Sequence, residues 1–427
     1  MASRHSLMES TNNYLSYEQT SCCPLCGSTH FSVGVERKEI AQAIPMPAEQ
    51  IDQQSVGKFT PALCEHCGIS FNVSGLSNQA YEQICHNYQF IQPSTGVGAG
   101  NYTTFIQELT KHLASSLDKV LDIGGFDGFL MRQLQQLGYR DLTLIDPSAK
   151  TEGLSTEIKA IKGFFPQDDA VYQKRIKGES VELYDVIGSK DVVQMIPDLN
   201  GFFKGLNAVL KLDGIAVCAS VPLDQMHVLQ RSHLGINAYK YLAQHFGFEL
   251  IDSYHKKENS YVVYVLQKKL DLLSASAQEQ EAFINSHQIA PELFKQEQDK
   301  QRQLLSQKGT LSKPIAEKLN QFLAHYDQEV VIYGTGFYTF GILDALECDY
   351  HQLKLNLVNS CREQEGYLYM LPDSSTKSVH YADNFLYNRY IPTIILGVAS
   401  PIFKAEIAQK LQDLHCTYDH LIYLPEL

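Results

Sequence analysis

One stretch, residues 120–128, constrains the fold more than any other part of this sequence. It reads Val-Leu-Asp-Ile-Gly-Gly-Phe-Asp-Gly, an apolar strand that runs directly into a glycine-rich turn. A helical pattern follows at once, with apolar residues on one face and a glycine suited to end the helix: Phe129, Leu130, Leu134, Leu137 and Gly138. This order predicts the first strand–turn–helix unit of a doubly wound α/β sheet, in which a ligand binds beyond the strand ends.

The next unit indicates the kind of ligand. A second strand, residues 142–145, ends in Asp146, and an acid about 20 residues past a glycine turn is where ribose hydroxyls are held. Asp122 in the first turn would repel the pyrophosphate of a dinucleotide, but it suits the cationic amino-acid end of S-adenosylmethionine (SAM). We therefore predict a SAM site. The alternative is a generic α/β turn in which the glycines serve only packing.

The rest of the central segment continues the same sheet. Two more buried strands are predicted over residues 184–188 and 215–221, and residues 164–168 end a unit whose apolar and amide side chains would flank adenine. Residues 248–254 and 261–267 then read as a closing antiparallel pair, which is typical of class I SAM-dependent methyltransferases. The predicted cofactor-binding residues are Asp122, Gly124, Gly125, Phe126, Asp127, Gly128, Asp146, Pro147, Phe165, Gln167 and Ser189.

Two cysteine motifs near the start predict a structural zinc site. Residues 22–27 read Cys-Cys-Pro-Leu-Cys-Gly and residues 64–68 read Cys-Glu-His-Cys-Gly, each with a glycine that permits a tight turn around one tetrahedral ion. Four thiolates make a closed site, and a redox role for one motif is the rival interpretation. Cys22 and His66 are possible substitutes, but the paired spacing favours four ligands: Cys23, Cys26, Cys64 and Cys67. The segment between the motifs, residues 31–58, is expected to loop out.

Composition excludes several classes of protein. The formal net charge is −13 and no basic block occurs, so a nucleic-acid partner is not expected. No apolar run has the length of a bilayer span, and residues 1–9 contain no apolar core of a signal peptide. With its Cys-x-x-Cys pairs, the chain fits a reducing cytoplasm. The expected partner is a small-molecule substrate.

At 427 residues, more than one domain is expected. We predict a zinc-binding domain over residues 1–77, a methyltransferase domain over 78–270, connecting helices over 271–329, and a Rossmann-like α/β domain over 330–427. The last contains Tyr-Gly-Thr-Gly at 333–336, yet Asn359 stands where an acid would hold a ribose. We interpret it as a degenerate nucleotide-binding fold that shapes or covers the substrate site, with dinucleotide binding as the weaker alternative. The aromatic and glycine-rich residues 78–100 are either a lid or a linker.

Two zinc motifs, the 120–128 stretch and the 333–336 unit, in this order, resemble the three-domain sugar C-methyltransferases. The resemblance covers nearly the whole chain, and residues 191–202 look like the segment after the fourth strand of that family. It implies a SAM-dependent enzyme that methylates a carbon of a nucleotide-linked ketosugar. The sequence departs from the family at Met195, where a histidine is usual, at residues 230–233, which keep one histidine and lose an acid, and at residues 258–262.

Methylation of a carbon beside a carbonyl requires a base to remove a proton and groups that stabilise the enolate. His233 is the first candidate base, because it follows the fifth strand and a histidine titrates near neutrality. His227 is a second candidate, and Tyr88 resembles a tyrosine that the family places near the substrate. An acceptor that is already nucleophilic needs positioning alone. The alternatives are a catalytically degenerate SAM- or metabolite-binding scaffold and an oxidoreductase that uses the C-terminal glycine turn.

Overall fold

The fold is known from a computed structural model. It describes residues 16–40, 45–54, 56–86, 96–223, 229–256, 261–307, 311–347, 349, 351–399 and 401–427. Three sheets organise these residues, one near the start of the chain, one in the centre and one at the end.

The first sheet is antiparallel; one cysteine motif lies in a connection between two of its strands, and the other begins at the end of a strand. Its strand order is β1-β5-β4-β2, with β3 paired to β4. The strands are β1 (Tyr17–Gln19), β2 (Phe31–Val33), β3 (Arg37–Ile40), β4 (Val56–Cys64) and β5 (Ser70–Leu76), with a 3-10 helix at Ala48–Gln53.

The segment between the cysteine motifs is not a free loop. It supplies β2, β3 and the start of β4, and Met46 forms an antiparallel bridge with Leu368 near the end of the chain. Ile51 and Val56 pack against the apolar core of the C-terminal sheet. The segment is therefore an arm that joins the first sheet to the last one, a long-range contact that local sequence patterns do not reveal.

The central sheet has seven strands in the order β12-β13-β10-β9-β6-β7-β8. Its strands are β6 (Lys119–Ile123), β7 (Asp141–Asp146), β8 (Ile158–Lys162), β9 (Tyr184–Lys190), β10 (Leu210–Ser220), β12 (Phe248–Lys256) and β13 (Tyr261–Lys268). The first five are mutually parallel, whereas β13 pairs antiparallel with both β10 and β12. The predicted doubly wound sheet with a closing antiparallel pair is confirmed. A two-residue strand between β10 and β12, β11 (Ser232–His233), joins β5 of the first sheet instead.

Among the described residues, the helices of this part of the chain are α1 (Asn78–His86), α2 (Gly96–Thr110), α3 (Phe129–Gln136), α4 (Ala170–Ile176), α5 (Leu199–Val209) and α6 (Ile236–His245). The helix α3 buries the predicted face, with Leu130 and Leu134 inside, and Gly138 has φ +98° just beyond its last turn. The segment predicted as a lid or linker is in part helical, since α1 occupies residues 78–86 and α2 begins at residue 96. Residues 87–95 lie outside the described part of the chain.

The end of the chain forms connecting helices and a third sheet. The helices are α7 (Ala277–Ser286), α8 (Pro291–Leu305) and α9 (Lys313–Leu323), followed by α10 (Phe337–Asp344), α11 (Ala382–Leu386) and α12 (Pro401–Asp413). The strands are β14 (Glu329–Tyr333), β15 (Lys354–Asn359), β16 (Leu368–Met370), β17 (Thr376–Tyr381), β18 (Tyr390–Leu396) and β19 (Thr417–Ile422). Their order is β16-β17-β15-β14-β18-β19, parallel except for β16, as a Rossmann-like domain requires. Over the described residues, no helix combines the length and apolarity needed to cross a membrane.

Candidate functional site

The first candidate site is a cluster of four cysteines at the end of the N-terminal sheet. The Sγ atoms of Cys23, Cys26, Cys64 and Cys67 all lie within 4.8 Å of one another, and three of the four residues are buried. The Cys23–Cys67 and Cys26–Cys64 sulfur pairs are each separated by 3.5 Å. A tetrahedral zinc ion with Zn–S bonds of about 2.3 Å places its sulfurs about 3.8 Å apart, so the cluster fits such an ion.

The two cysteine turns have the same backbone hydrogen bonds. Gly27 N donates to Cys23 O and Gly68 N donates to Cys64 O, both at 3.0 Å. The two glycines have φ +71° and +74°, a conformation that a residue with a Cβ rarely adopts. The possible substitutes predicted from the sequence, Cys22 and His66, are exposed and neither belongs to the cluster, although His66 forms a hydrogen bond to Cys26.

The sulfurs are close enough to share protons. Hydrogen bonds from neighbouring sulfurs lower the pKa of Cys26 and of Cys64, whereas they raise the pKa of Cys23 and of Cys67. Negative charge therefore concentrates on part of the cluster because four thiolates at this spacing repel one another. A divalent cation would remove that repulsion and allow all four to ionise.

The second candidate site is the glycine turn between β6 and α3. Gly124 and Gly128 have φ +83° and +72°, so the turn needs glycine at both positions. A Cβ on Gly124 would lie 2.1 Å from Val192 Cγ2, and a Cβ on Gly125 would lie 2.8 Å from Asp122 Oδ2. The glycines therefore serve packing as well, because they leave room for the segment after β9 above the turn and for the Asp122 carboxyl group beneath it.

Asp122 is the buried acid of this turn. It is paired in register with Leu144 of β7 and Gly188 of β9, and only 5% of its surface is exposed. Burial is the main cause that raises the pKa of Asp122 to about 8; the charges of Asp146 and Asp127 contribute in the same direction, and the Lys190 ammonium acts in the opposite direction. A buried carboxyl group with a pKa raised this far is typical of a functional site.

Asp146 lies at the carboxyl end of β7, beside the same turn. Its Oδ2 accepts a hydrogen bond from Phe126 N at 3.2 Å, and its Oδ1 accepts one from Ser148 N at 2.6 Å. Each carboxylate oxygen can accept a second hydrogen bond, so the group can still receive the two hydroxyls of a ribose. Burial raises the pKa of this carboxyl group as well.

The end of β9 adds polar groups that face the turn. Ser189 is 1% exposed, and its Oγ has no hydrogen-bond partner among the described residues. Lys190 Nζ lies 2.6 Å from Asp191 Oδ2 and 4.6 Å from the centre of the Tyr102 ring. Asp191 has φ +61°, an unfavourable conformation for a residue with a Cβ, and such residues cluster at functional sites. Of these three residues only Ser189 was predicted to bind the cofactor. All three directly follow the predicted fourth strand, so their position in the sequence could have indicated the other two as well.

Comparison with known proteins agrees with this architecture. A family profile described as a methyltransferase domain matches residues 78–256, which include Asp122, the glycine turn and Asp146. Residues 78–256 form a methyltransferase domain with the class I strand order. The predicted enzyme class is confirmed by the family match together with the seven-strand order.

Solved structures of similar proteins include a putative SAM-dependent methyltransferase from Listeria monocytogenes, with 15% identity, a TM-score of 0.33, and coverage of 40% of this chain and 100% of that one. The N-methyltransferase NodS from Bradyrhizobium japonicum, in complex with S-adenosylhomocysteine (SAH), is 15% identical, with a TM-score of 0.33 and coverage of 44% and 97%, respectively. The likeness is thus confined to less than half of this chain. A search of curated proteins finds none that matches this sequence.

The other predicted cofactor residues of the methyltransferase domain are less well placed. The Phe165 ring is buried and packs edge-on against Phe202 of α5 with 5.5 Å between the ring centres, so the core uses this ring. Gln167 is exposed, and its main-chain carbonyl oxygen accepts a hydrogen bond from Gln173 Nε2. Pro147 is half-buried directly after Asp146.

Two residues of the turn itself have structural partners. Asp127 is engaged at the start of α3, where its Oδ1 accepts a hydrogen bond from Phe129 N at 3.0 Å and its Oδ2 lies 3.2 Å from Arg132. Phe126 is buried with φ +40°, and Lys150 Nζ lies 4.7 Å from the centre of its ring.

The candidate base His233 lies in the interface between two sheets. As part of β11 it pairs with Ser70 of β5, it is 4% exposed, and its Nε2 is hydrogen-bonded to Gln230 Oε1. The strand contacts the 3-10 turn Val193–Met195 that follows β9, so it lies near the ligand edge but is not in an open loop. The other two candidates, Tyr88 and His227, lie outside the described residues.

The C-terminal glycine turn is closed by its own side chains. Asn359 at the end of β15 donates through Nδ2 to Thr335 Oγ1 at 3.1 Å and to Gln364 Oε1 at 2.6 Å, and its Oδ1 accepts from Cys361 N at 3.1 Å. A ribose at this position would have to displace these hydrogen bonds. This arrangement agrees with the interpretation of a degenerate nucleotide-binding fold.

We predict that SAM affinity rises with pH between pH 6 and pH 8. The SAM ammonium group needs an ionised Asp122, and a carboxyl group with a pKa of about 8 is mostly protonated at pH 6. Each pH unit below that pKa should weaken binding by up to about tenfold. Calorimetric titrations across this range in wild type and Asp122→Asn provide the measurement, and an equal slope in both proteins would contradict the assignment.

Proposed function

We propose that this methyltransferase domain transfers the methyl group of SAM to a small metabolite, and that the best candidate acceptor is a carbon of a nucleotide-linked ketosugar. The SAM assignment rests mainly on two acids, the buried Asp122 and the half-buried Asp146, which lie at one glycine turn at the carboxyl edge of the sheet. Acids at this position favour a cationic cofactor over a dinucleotide.

The residues of this chain would hold SAM as follows. Asp122 would neutralise the ammonium group of the amino-acid end, and Asp146 would accept hydrogen bonds from the ribose hydroxyls. Ser189 Oγ, which is buried without a partner among the described residues, would supply a further polar contact. When bound, SAM supplies a methyl group on a sulfonium that an acceptor can take.

The groups above the turn would activate the methyl acceptor. We propose His233 as the base, held by Gln230, and Lys190 as the charge that stabilises an enolate oxygen, because its ammonium group lies at the end of β9. Tyr88 and His227 stay as candidates from the sequence. For an acceptor that is already nucleophilic, positioning in this cleft would suffice.

The ketosugar proposal rests on the resemblance in domain order. In addition, the arm between the cysteine motifs connects the first sheet physically to the last one. The departures at Met195 and at residues 230–233 concern the groups that would contact the sugar. Met195 packs beside an apolar cluster that includes Phe59 and Tyr81, so it offers no proton-accepting group there.

We propose that Cys23, Cys26, Cys64 and Cys67 hold one structural zinc ion. Four thiolates close the coordination sphere, which leaves no open position for a substrate or water. The ion would fix the end of the N-terminal sheet against α8, where Gln298 donates a hydrogen bond to Glu65 O at 3.0 Å. Its role would therefore be to position this sheet over the methyltransferase domain.

The experiment that tests the proposal is calorimetric titration of the zinc-loaded protein with SAM and SAH, followed by turnover assays on a panel of acceptors that includes nucleotide-linked ketosugars. Binding in the micromolar range is expected, and SAH formation should appear only with the correct acceptor. Absence of binding of either cofactor would refute the proposed cofactor site. Binding without turnover on any ketosugar would refute the proposed acceptor class and leave the cofactor assignment intact.

A further inference from the structure

An open cleft lies between the N-terminal sheet and the ligand edge of the central sheet. One wall is formed by β1 and β5, and the other by Ile196, Pro197 and Arg231. We propose that Arg231 binds an anionic group, a phosphate or a carboxylate, of the methyl acceptor in this cleft, and that this anion displaces Glu18. The inference rests on the proposed function because the ligand is its acceptor.

The cleft opens beside the cofactor turn. Ile196 and Pro197 directly follow the 3-10 turn Val193–Met195, and Val192 before it packs on Gly124. The half-buried thiol of Cys85 lies between the two places, because both Asp146 and Arg231 act on its pKa: desolvation and the Asp146 charge raise it and the Arg231 charge lowers it. Arg231 and the proposed ribose-binding acid are thus within electrostatic range of one side chain.

Arg231 is fixed before any ligand arrives. Its Nη2 donates to Leu76 O at 3.1 Å, and its guanidinium carbon lies 4.4 Å from the centre of the Tyr81 ring. Tyr81 is held in turn by a 2.5 Å hydrogen bond from its hydroxyl to Leu229 O. Only 15% of the Arg231 side chain is exposed. A guanidinium held in this way loses little entropy when it binds an anion.

Two buried polar atoms beside the cleft lack a partner among the described residues. Arg231 Nε is one of them, and Asn72 Oδ1 is the other, since Asn72 donates through Nδ2 to Gln230 O at 2.8 Å. Buried groups of this kind are rare in folded proteins, and a ligand commonly satisfies them. A donor on Arg231 and an acceptor on Asn72 suit a ligand that carries an anion next to a hydroxyl.

Glu18 is a replaceable partner. Its Oε1 lies 3.1 Å from Arg231 Nη2, but 42% of its side chain is exposed, and it belongs to the three-residue strand β1 at the edge of the sheet. An ion pair whose carboxylate is open to solvent is screened and contributes little stability. A phosphate or a carboxylate that contacts Arg231 in a bidentate manner would therefore compete with Glu18 effectively.

The test is calorimetric titration of three probes into the protein saturated with SAH: pyrophosphate, malonate and UDP-glucose. We compare wild type with Arg231→Gln, Arg231→Lys and Glu18→Gln, and use Arg140→Gln as the control because Arg140 is exposed next to the opposite end of β7. At least one probe should bind wild type, Arg231→Gln should weaken it by roughly tenfold or more, and Arg231→Lys should recover part of the loss. Glu18→Gln should strengthen binding by about threefold, since the competing charge is removed.

The probes separate the sources of the anion. Pyrophosphate and UDP-glucose without malonate would indicate a phosphate group, malonate alone would indicate a carboxylate, and UDP-glucose alone would indicate recognition of the whole nucleotide sugar. The inference is overturned if no probe binds wild type, or if Arg231→Gln and Glu18→Gln both bind like wild type. SAH affinity should be the same in all variants, so failure to bind SAH would instead count against the proposed cofactor site.

Discussion

Replacing Cys64 by serine should abolish binding of the proposed zinc ion and lower the melting temperature of the N-terminal sheet. Cys64 is fully buried, and its sulfur lies 3.5 Å from that of Cys26. A serine hydroxyl stays protonated near neutrality and is a poor zinc ligand, so the variant loses a quarter of the coordination sphere. A loss of about 3 kcal/mol from a unit of this size would lower its melting temperature by roughly 12–24 °C.

The measurement is zinc content by mass spectrometry together with calorimetric melting. The neighbouring Cys22→Ser is a matched control, because Cys22 is exposed and lies outside the cluster. It should keep about one zinc ion per chain and the wild-type melting curve. Full zinc content in Cys64→Ser would exclude this residue as a ligand. A low zinc content in Cys22→Ser would show that the ligand set differs from the one proposed.

Replacing Asp122 by asparagine should weaken SAM binding strongly and leave the fold intact. Asparagine has nearly the same shape, so the packing of the turn over Gly125 is retained. It carries no charge, and a hydrogen bond between charged groups contributes about 1.5–3 kcal/mol. The dissociation constant of SAM should therefore rise by roughly 10- to 150-fold at pH 8.5, where Asp122 is mostly ionised in the wild type.

Stability and binding should change in opposite directions in this variant. The raised pKa of Asp122 means that ionisation opposes folding as the pH increases from about 4 to 8, so Asp122→Asn should be at least as stable as wild type at pH 8. Asp141→Asn is the control, since Asp141 is exposed at the opposite end of β7. Unchanged SAM affinity in Asp122→Asn would show that the ammonium group binds elsewhere.

The sequence alone was sufficient to predict those parts of the candidate sites that depend on local spacing. The cysteine turns and the β6 turn are short segments whose glycines are required by local backbone geometry, and Gly27, Gly68, Gly124 and Gly128 all have positive φ. The alternating pattern of strands and helices predicted the central sheet and its antiparallel closing pair, because apolar periodicity determines which elements form. The predicted domain boundaries stay a prediction.

Long-range contacts determined the features of the fold and of the sites that the sequence did not predict. The pairing of β11 with β5 buries His233 in an interface, and the bridge from Met46 to Leu368 turns a predicted loop into an arm. Arg231 belongs to no periodic sequence pattern. It becomes a candidate binding residue only because the fold places Tyr81 and Glu18 against it from distant parts of the chain. Local propensity and spacing determine which strands and turns form, whereas the burial and pairing of polar groups depend on contacts that exist only after the sheets have packed together.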